Sequence, residues 1–145
     1  MKLKHFDLQP YNSSNKDHKL VIFKLINDKI SMKYLGDLSY LLSDLNNIIE
    51  IDGFYIVSYL NEYIGIITLS EVVDKYFITY GLIKESRGKN LASLLLKEFS
   101  NQVFLDNNNI NDLYLSINKQ NIASRKVAYN AGYIKDSEVR FKKSK

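Results

Sequence analysis

The sequence predicts an α/β fold, with a mixed, mostly antiparallel central sheet flanked by helices. Three observations predict it. A hairpin rich in aromatic and β-branched residues occupies the middle of the chain. After it the apolar period changes from two to three and four. Two segments of helical period then alternate with short strand-like ones. At 145 residues, with no internal repeat and no linker rich in Gly, Pro or Ser, residues 1–145 read as a single domain.

Taken in order, residues 20–26 form an apolar, β-branched run that predicts a first strand, ended by Asn27 and Asp28. Residues 36–45 predict a helix, because Leu38, Leu41, Leu42 and Leu45 recur at helical spacing. Residues 54–60 and 63–69 predict a hairpin around a tight turn at Asn61 and Glu62. Residues 75–83 predict a further strand. Leu91, Leu94, Leu95, Phe99 and Val103 then line one face of a helix expected over residues 88–104. After a polar break at 106–111, residues 112–117 predict a strand and 121–130 a helix. Gly132 stands where a helix stop is expected, and residues 133–142 predict the last strand.

Composition narrows the chemistry. Hydrophobic residues make up 46% and charged residues 25%, the balance of a soluble globular chain. There is no cysteine, which excludes disulfides, thiolate metal ligands and a covalent cysteine intermediate. No apolar run reaches the ~18 residues of a membrane span, and residues 1–7 lack the apolar stretch of a signal peptide. The expectation is a cytoplasmic protein without a membrane or nucleic-acid partner. The net charge of +4 suits an anionic ligand, although Arg140, Lys142, Lys143 and Lys145 read more simply as a solubilising tail. His5 and His18 show no metal-ligand spacing and are expected at the surface, and no metal site is predicted.

The junction of chemical interest follows the strand at 75–83. The residues Arg87, Gly88, Lys89, Asn90, Leu91, Ala92 and Ser93 open a long helix. A helix start offers unpaired N–H groups and the positive end of the macrodipole, which together make an anion site. Gly88 permits close backbone approach, Ala92 keeps the first turn narrow, and Arg87 and Lys89 add charge. On spacing alone the same residues also read as an ordinary helix cap.

Residues 80–92 resemble the acyl-CoA-binding motif of the GNAT (Gcn5-related N-acetyltransferase) superfamily, whose core is Arg/Gln-x-x-Gly-x-Gly/Ala. Arg87, Lys89 and Ala92 fit it, and Asn90 stands where glycine is usual. Asn adopts left-handed backbone more readily than other non-glycine residues. Residues 118–133 resemble a second motif of that family, Asn-x-x-Ser ending in Gly-Phe/Tyr, in the form seen in the ribosomal-protein alanine acetyltransferase branch. Asn121, Ser124, Gly132 and Tyr133 carry it.

The resemblance implies acetyl-CoA as cosubstrate and direct transfer of its acetyl group to an amine, on a small molecule or a peptide N-terminus. It implies an oxyanion donor at Leu82 or its neighbour Ile83, Ser124 as general acid, and Asn121 against the amide-rich arm of the cosubstrate. Asn121 also reads as a helix N-cap. Tyr129 is a second acid candidate whose alternative is core packing, since relatives often carry the tyrosine where this chain has Ala128. Glu71, with Asp74 beside it, is the candidate base, each having a solvated turn carboxylate as its alternative. Glu85 reads as an exposed neighbour of Arg87. The acceptor is expected to be chosen by residues 36–47, the loops around Glu50 and Glu71, and the last strand. A homodimer is compatible with the exposed strand edges of such a domain.

Overall fold

The computed structural model describes residues 1–34 and 53–145. The helix expected at 36–45 lies outside them, as do residues 36–47 and Glu50, expected to choose the acceptor.

Seven strands form one sheet: β1 (Phe6–Pro10), β2 (Phe54–Tyr59), β3 (Glu62–Val72), β4 (Lys75–Leu82), β5 (Asp112–Ser116), β6 (Ile134–Lys135) and β7 (Arg140–Ser144). Their spatial order is β1-β2-β3-β4-β5-β7-β6. Every pair is antiparallel except β4–β5, which is parallel. The helices are α1 (Lys16–Ile26), α2 (Lys29–Tyr34), α3 (Leu91–Asp106) and α4 (Ile122–Asn130), with a 3-10 turn at Lys84–Ser86. The mixed sheet flanked by helices is the fold class the sequence predicts. No described helix is long and apolar enough to cross a membrane.

Two apolar layers sandwich the sheet. On one face α3 contributes Leu95, Leu96, Phe99 and Val103 against Val57, Ile67, Ile78, Leu113 and Phe141. On the other, Val21, Ile22 and Leu25 of α1 pack on Phe54, Ile56 and Ile66.

The first strand expected at 20–26 is a helix. The residues that α1 buries are His18, Val21, Ile22 and Leu25, spaced three, one and three apart, which is a helical face. Leu20 and Phe23, inside the same apolar run, are about half exposed at 49% and 53%. The Asn15 side chain caps the start, accepting from the N–H groups of Asp17 and His18. The real first strand is β1, where Phe6 and Leu8 are buried and Asp7 is exposed. The hairpin turn also moves by one residue. Tyr59 pairs with Glu62, and Leu60 and Asn61 take φ of 51° and 64°, as a two-residue type I′ turn requires. The basic tail is not free either. Arg140, Lys142 and Lys143 belong to β7, which pairs with β5 and the short β6, so the single last strand becomes a hairpin broken at Asp136.

His18 is likewise corrected, since it is only 2% exposed. The Asn12 N–H donates to its Nδ1 at 3.1 Å, which leaves the proton on Nε2 to donate to Gln9 Oε1 at 3.0 Å. The Tyr63 hydroxyl donates to the same Gln9 oxygen. Burial lowers the His18 pKa below the usual 6.5, against the opposing charge of Asp17. The unfolded chain therefore binds this proton first as pH falls. The stability that His18 contributes is present above pH 6.5 and drains away below it, towards the folded pKa. The expected result is a melting temperature that falls more steeply between pH 7 and pH 5 in the wild type than in His18→Gln. Parallel slopes in the two proteins would refute it.

Candidate active site

Strands β4 and β5 pair only at Tyr76 with Leu113 and Phe77 with Tyr114. Beyond that point β4 continues to Leu82 on its β3 side while β5 gives it no further partner. The parallel pair therefore splays, and the free edge of β4 becomes one wall of a cleft of about 480 Å³. That volume lies within the range of small-ligand pockets. Tyr80, Gly81 and Leu82 form this wall, and the α4 cap Asn121 with Ser124, Val127 and Asn130 of α4 lines the cleft with it. Arg87, Gly88 and Asn90 to Ser93 close one end, and Ile30 and Ser31 of α2 border it.

Strand alternation orients the wall. The Ile83 N–H donates to Ile64 O across the β3–β4 ladder at 2.8 Å. The preceding residue, Leu82, must point its N–H and C=O to the opposite edge. Its carbonyl there accepts from Arg87 Nε at 3.2 Å, which agrees. The Leu82 N–H is thus turned to the splayed side.

The end of the cleft is built for a ligand to approach backbone. Gly88 has φ of +77°, and a Cβ placed on it would meet nothing within 4 Å. Asn90 has φ of 58° and ψ of 15°, the left-handed conformation that a glycine would supply without strain. Asn90 gives α3 no side-chain cap, so the first N–H groups of this helix are left for another acceptor. The residues present therefore fit an anionic phosphate group.

Arg87 is not one of its free cations. It reaches sideways to Asp28 and to Ser31 Oγ, as well as to Leu82 O. Partial burial opposes ionisation of Asp28. The hydrogen bond and charge of Arg87, with the N–H groups of Ile30 and Ser31, outweigh it, so the Asp28 pKa falls below its usual value. Arg87 thereby ties the loop to α2.

Of the residues singled out from the sequence, Leu82, Arg87, Gly88, Asn90, Leu91, Ala92, Ser93, Asn121 and Ser124 line this one cleft. Asn121 caps α4, its Oδ1 accepting from the Ser124 N–H at 3.1 Å. Ile83 instead packs in the α1 core, and Lys89 is exposed and does not line the cleft. Tyr129 is 51% exposed and sets its ring edge-on to Phe141 at 5.2 Å. It lies five residues beyond Ser124 on α4, well off the face shared by Ser124 and Val127.

Glu71 is carried far from the cleft. It pairs with Tyr76, six residues along β4 from Leu82, on the order of 20 Å at the rise of a strand. It borders a different cavity with Met1, Gly53 and Phe99, and Asp74 sits in the β3–β4 turn. Among the described residues lining the cleft there is no carboxylate and no histidine. The sequence reading missed Tyr80 and Ser31. Tyr80 carried a signal only in standing two residues before Leu82, whereas Ser31 comes from a distant helix.

Comparisons with known proteins identify the fold and the family. The acetyltransferase (GNAT) domain matches residues 8–134. No curated protein matches the chain at the sequence level. An acetyltransferase (GNAT family) from Bacillus anthracis superimposes with a TM-score of 0.81 at 13% identity, covering 98% of this chain and 95% of that one. AAC(6')-Ib in complex with paromomycin and acetyl-CoA gives 0.78 at 13% identity, with 98% and 94% covered. RimL, the ribosomal L7/L12 α-N-protein acetyltransferase in complex with coenzyme A, gives 0.77 at 13% identity, with 97% and 94% covered. At such identity these structures establish the shared fold. The domain match spans most of the sequence, and the chain belongs to the GNAT acetyltransferase family.

Proposed function

We propose that the chain is an N-acetyltransferase that moves the acetyl group of acetyl-CoA directly to a primary amine. The observation that carries the reading is a single cleft uniting three parts: the uncapped start of α3, the outward Leu82 N–H and the Ser124 hydroxyl. The pyrophosphate would sit on the N–H groups around Gly88 and Asn90, and the pantetheine arm would lie along the free edge of β4.

The division of labour follows from charge. As the amine nitrogen bonds to the carbonyl carbon, the oxygen gains negative charge, which the Leu82 N–H receives. The C–S bond then breaks and its electron pair stays on sulfur. A thiol pKa near 8.5 makes the thiolate a good leaving group, so the Ser124 hydroxyl need only hydrogen-bond it. With no cysteine in the chain, no thioester forms on the protein.

Glu71 stands about 20 Å along the ladder from Leu82, and the described lining residues offer no imidazole or carboxylate in its place. The ammonium then loses one proton to water before attack, and the nitrogen releases a second to water as the amide forms. For an amine of pKa near 10, kcat/KM is expected to rise about tenfold per pH unit from pH 6 to pH 9. A plateau near pH 6 or 7 would reveal a protein base and refute this step.

Calorimetry with acetyl-CoA and a thiol-release assay over an amine panel test the whole proposal. Binding in the micromolar range and turnover that drops about 100-fold in Ser124→Ala are the expected results. The panel begins with aminoglycosides and peptides bearing a free N-terminus, after AAC(6')-Ib, an aminoglycoside acetyltransferase, and RimL, an α-N-protein acetyltransferase. A second reading, an acyl-CoA-binding module without turnover, draws on the lack of a carboxylate in the described cleft. It predicts tight acetyl-CoA binding with no thiol release on any amine.

A further inference from the structure

Tyr80 stands on β4 opposite Ile67 and lines the cleft two residues before Leu82. Its hydroxyl oxygen is buried and, among the described residues, makes no hydrogen bond. A buried donor left unmade is uncommon and needs an explanation. Burial raises the Tyr80 pKa, and the Ser124 hydroxyl across the cleft is the side chain that opposes the rise. Tyr80 and Ser124 line the same cleft, with no completed hydrogen bond on the Tyr80 hydroxyl among the described residues. The phenol remains a neutral donor throughout the physiological range.

Neighbouring groups leave it no other use. Tyr133, also buried, already bonds Ser100 Oγ at 2.7 Å, and Ser100 in turn donates to Leu96 O. The Asn121 side chain is spent on the α4 cap. Among the described residues, Ser124 thus offers its hydroxyl, and Tyr80 an unspent O–H, to the same cleft.

We propose that Tyr80 is a positioning residue for Ser124. When the cleft fills and α4 settles against β4, the Tyr80 O–H donates to Ser124 Oγ. The serine proton is then turned away from the protein and towards the departing sulfur. A hydroxyl that accepts one hydrogen bond is a stronger donor of the next, so the pair acts as a two-step donor chain. No proton changes hands along it. The C–S electron pair remains on sulfur as thiolate, and the protons lost by the nitrogen go to water.

This inference rests on the acetyltransferase reading above. The test is a double-mutant cycle of Tyr80→Phe, Ser124→Ala and both together. Thiol release from acetyl-CoA is followed with the fastest amine of the panel, or with water where no amine is faster. Tyr80→Phe is expected to lower kcat about tenfold while the acetyl-CoA dissociation constant stays within about threefold. The double variant is expected to be no slower than Ser124→Ala alone, because both act through one chain. Melting curves are the second readout. Tyr80→Phe keeps the ring and removes the orphan oxygen, so it is expected to melt at or above the wild type.

An unchanged kcat in Tyr80→Phe overturns the inference. So does a double variant slower by the product of the single effects, which would make Tyr80 independent of Ser124. A loss confined to acetyl-CoA affinity would assign the phenol to the cosubstrate arm instead, and also overturns it. Failure of the wild type to bind acetyl-CoA at all would strike the cofactor reading first. Binding with an indifferent Tyr80→Phe would strike only Tyr80.

Discussion

Gly65→Ala is expected to lose about 3 kcal/mol of stability and most of its affinity for acetyl-CoA. Gly65 sits in β3 opposite Leu82, and a Cβ there would lie 2.1 Å from the carbonyl oxygen of Gly81 and 3.0 Å from Leu82 Cα. Those atoms are backbone, so no side-chain rotation relieves the clash, and β4 must move. β4 is also the cleft wall that carries the Leu82 N–H. A bulge adjoins this tight approach. Val57 pairs with Gly65 but Ser58 pairs with Tyr63, which leaves Ile64 as an extra residue in β3. Across the bulge the alternation slips. Ile64 and Ile67 share one core, while Ile66 enters the other. Urea denaturation and calorimetry measure both effects. A variant with wild-type midpoint and wild-type affinity would show that the ladder gives way elsewhere.

Breaking the Arg87–Asp28 pair from its two ends is expected to give opposite results for the ligand. Arg87→Glu sets a second carboxylate against Asp28 and places negative charge beside the phosphate end of the cleft. It should lose about 1.5–3 kcal/mol of stability, the scale of a hydrogen bond to a charged group. Its acetyl-CoA affinity should fall at least about 30-fold, as expected where one charge-assisted contact becomes a repulsion. Asp28→Asn also destabilises the fold, but it releases the guanidinium to face the phosphates. Its affinity is expected to hold or to rise about threefold, since the gained contact is partly screened. Thermal melts and calorimetry on the two variants separate the roles. If both lose affinity equally, Arg87 works only by holding α2 in place.

Much of the cleft was legible in the residues themselves. The change of period after Ile83 located α3, and Asn90 at a position that wants left-handed backbone indeed takes φ of 58°. Asn121 and Ser124 reach the same cleft because they stand three apart on one helical face of α4. The misread parts share a cause, in that local pattern does not say which surface a run will meet. Residues 20–26 are apolar enough for a strand, yet only Val21, Ile22 and Leu25 face the sheet, and that choice is made by the core that α1 covers. Glu71 lies within a dozen residues of the cleft wall by sequence and at the far end of the ladder in space.

The sequence by itself determined the family motifs, the helix start that can take an anion and the absence of cysteine chemistry. These are properties of single residues and short spacings. The tertiary structure decided what each charged or polar group does. It gave Arg87 to Asp28, buried His18, set Glu71 away from the cleft and brought Tyr80 into the same cleft as Ser124. The physical reason is that a side chain's partner depends on where strands splay and slip. The short β4–β5 pairing and the extra residue in β3 are long-range features of register, written in no local stretch of the chain.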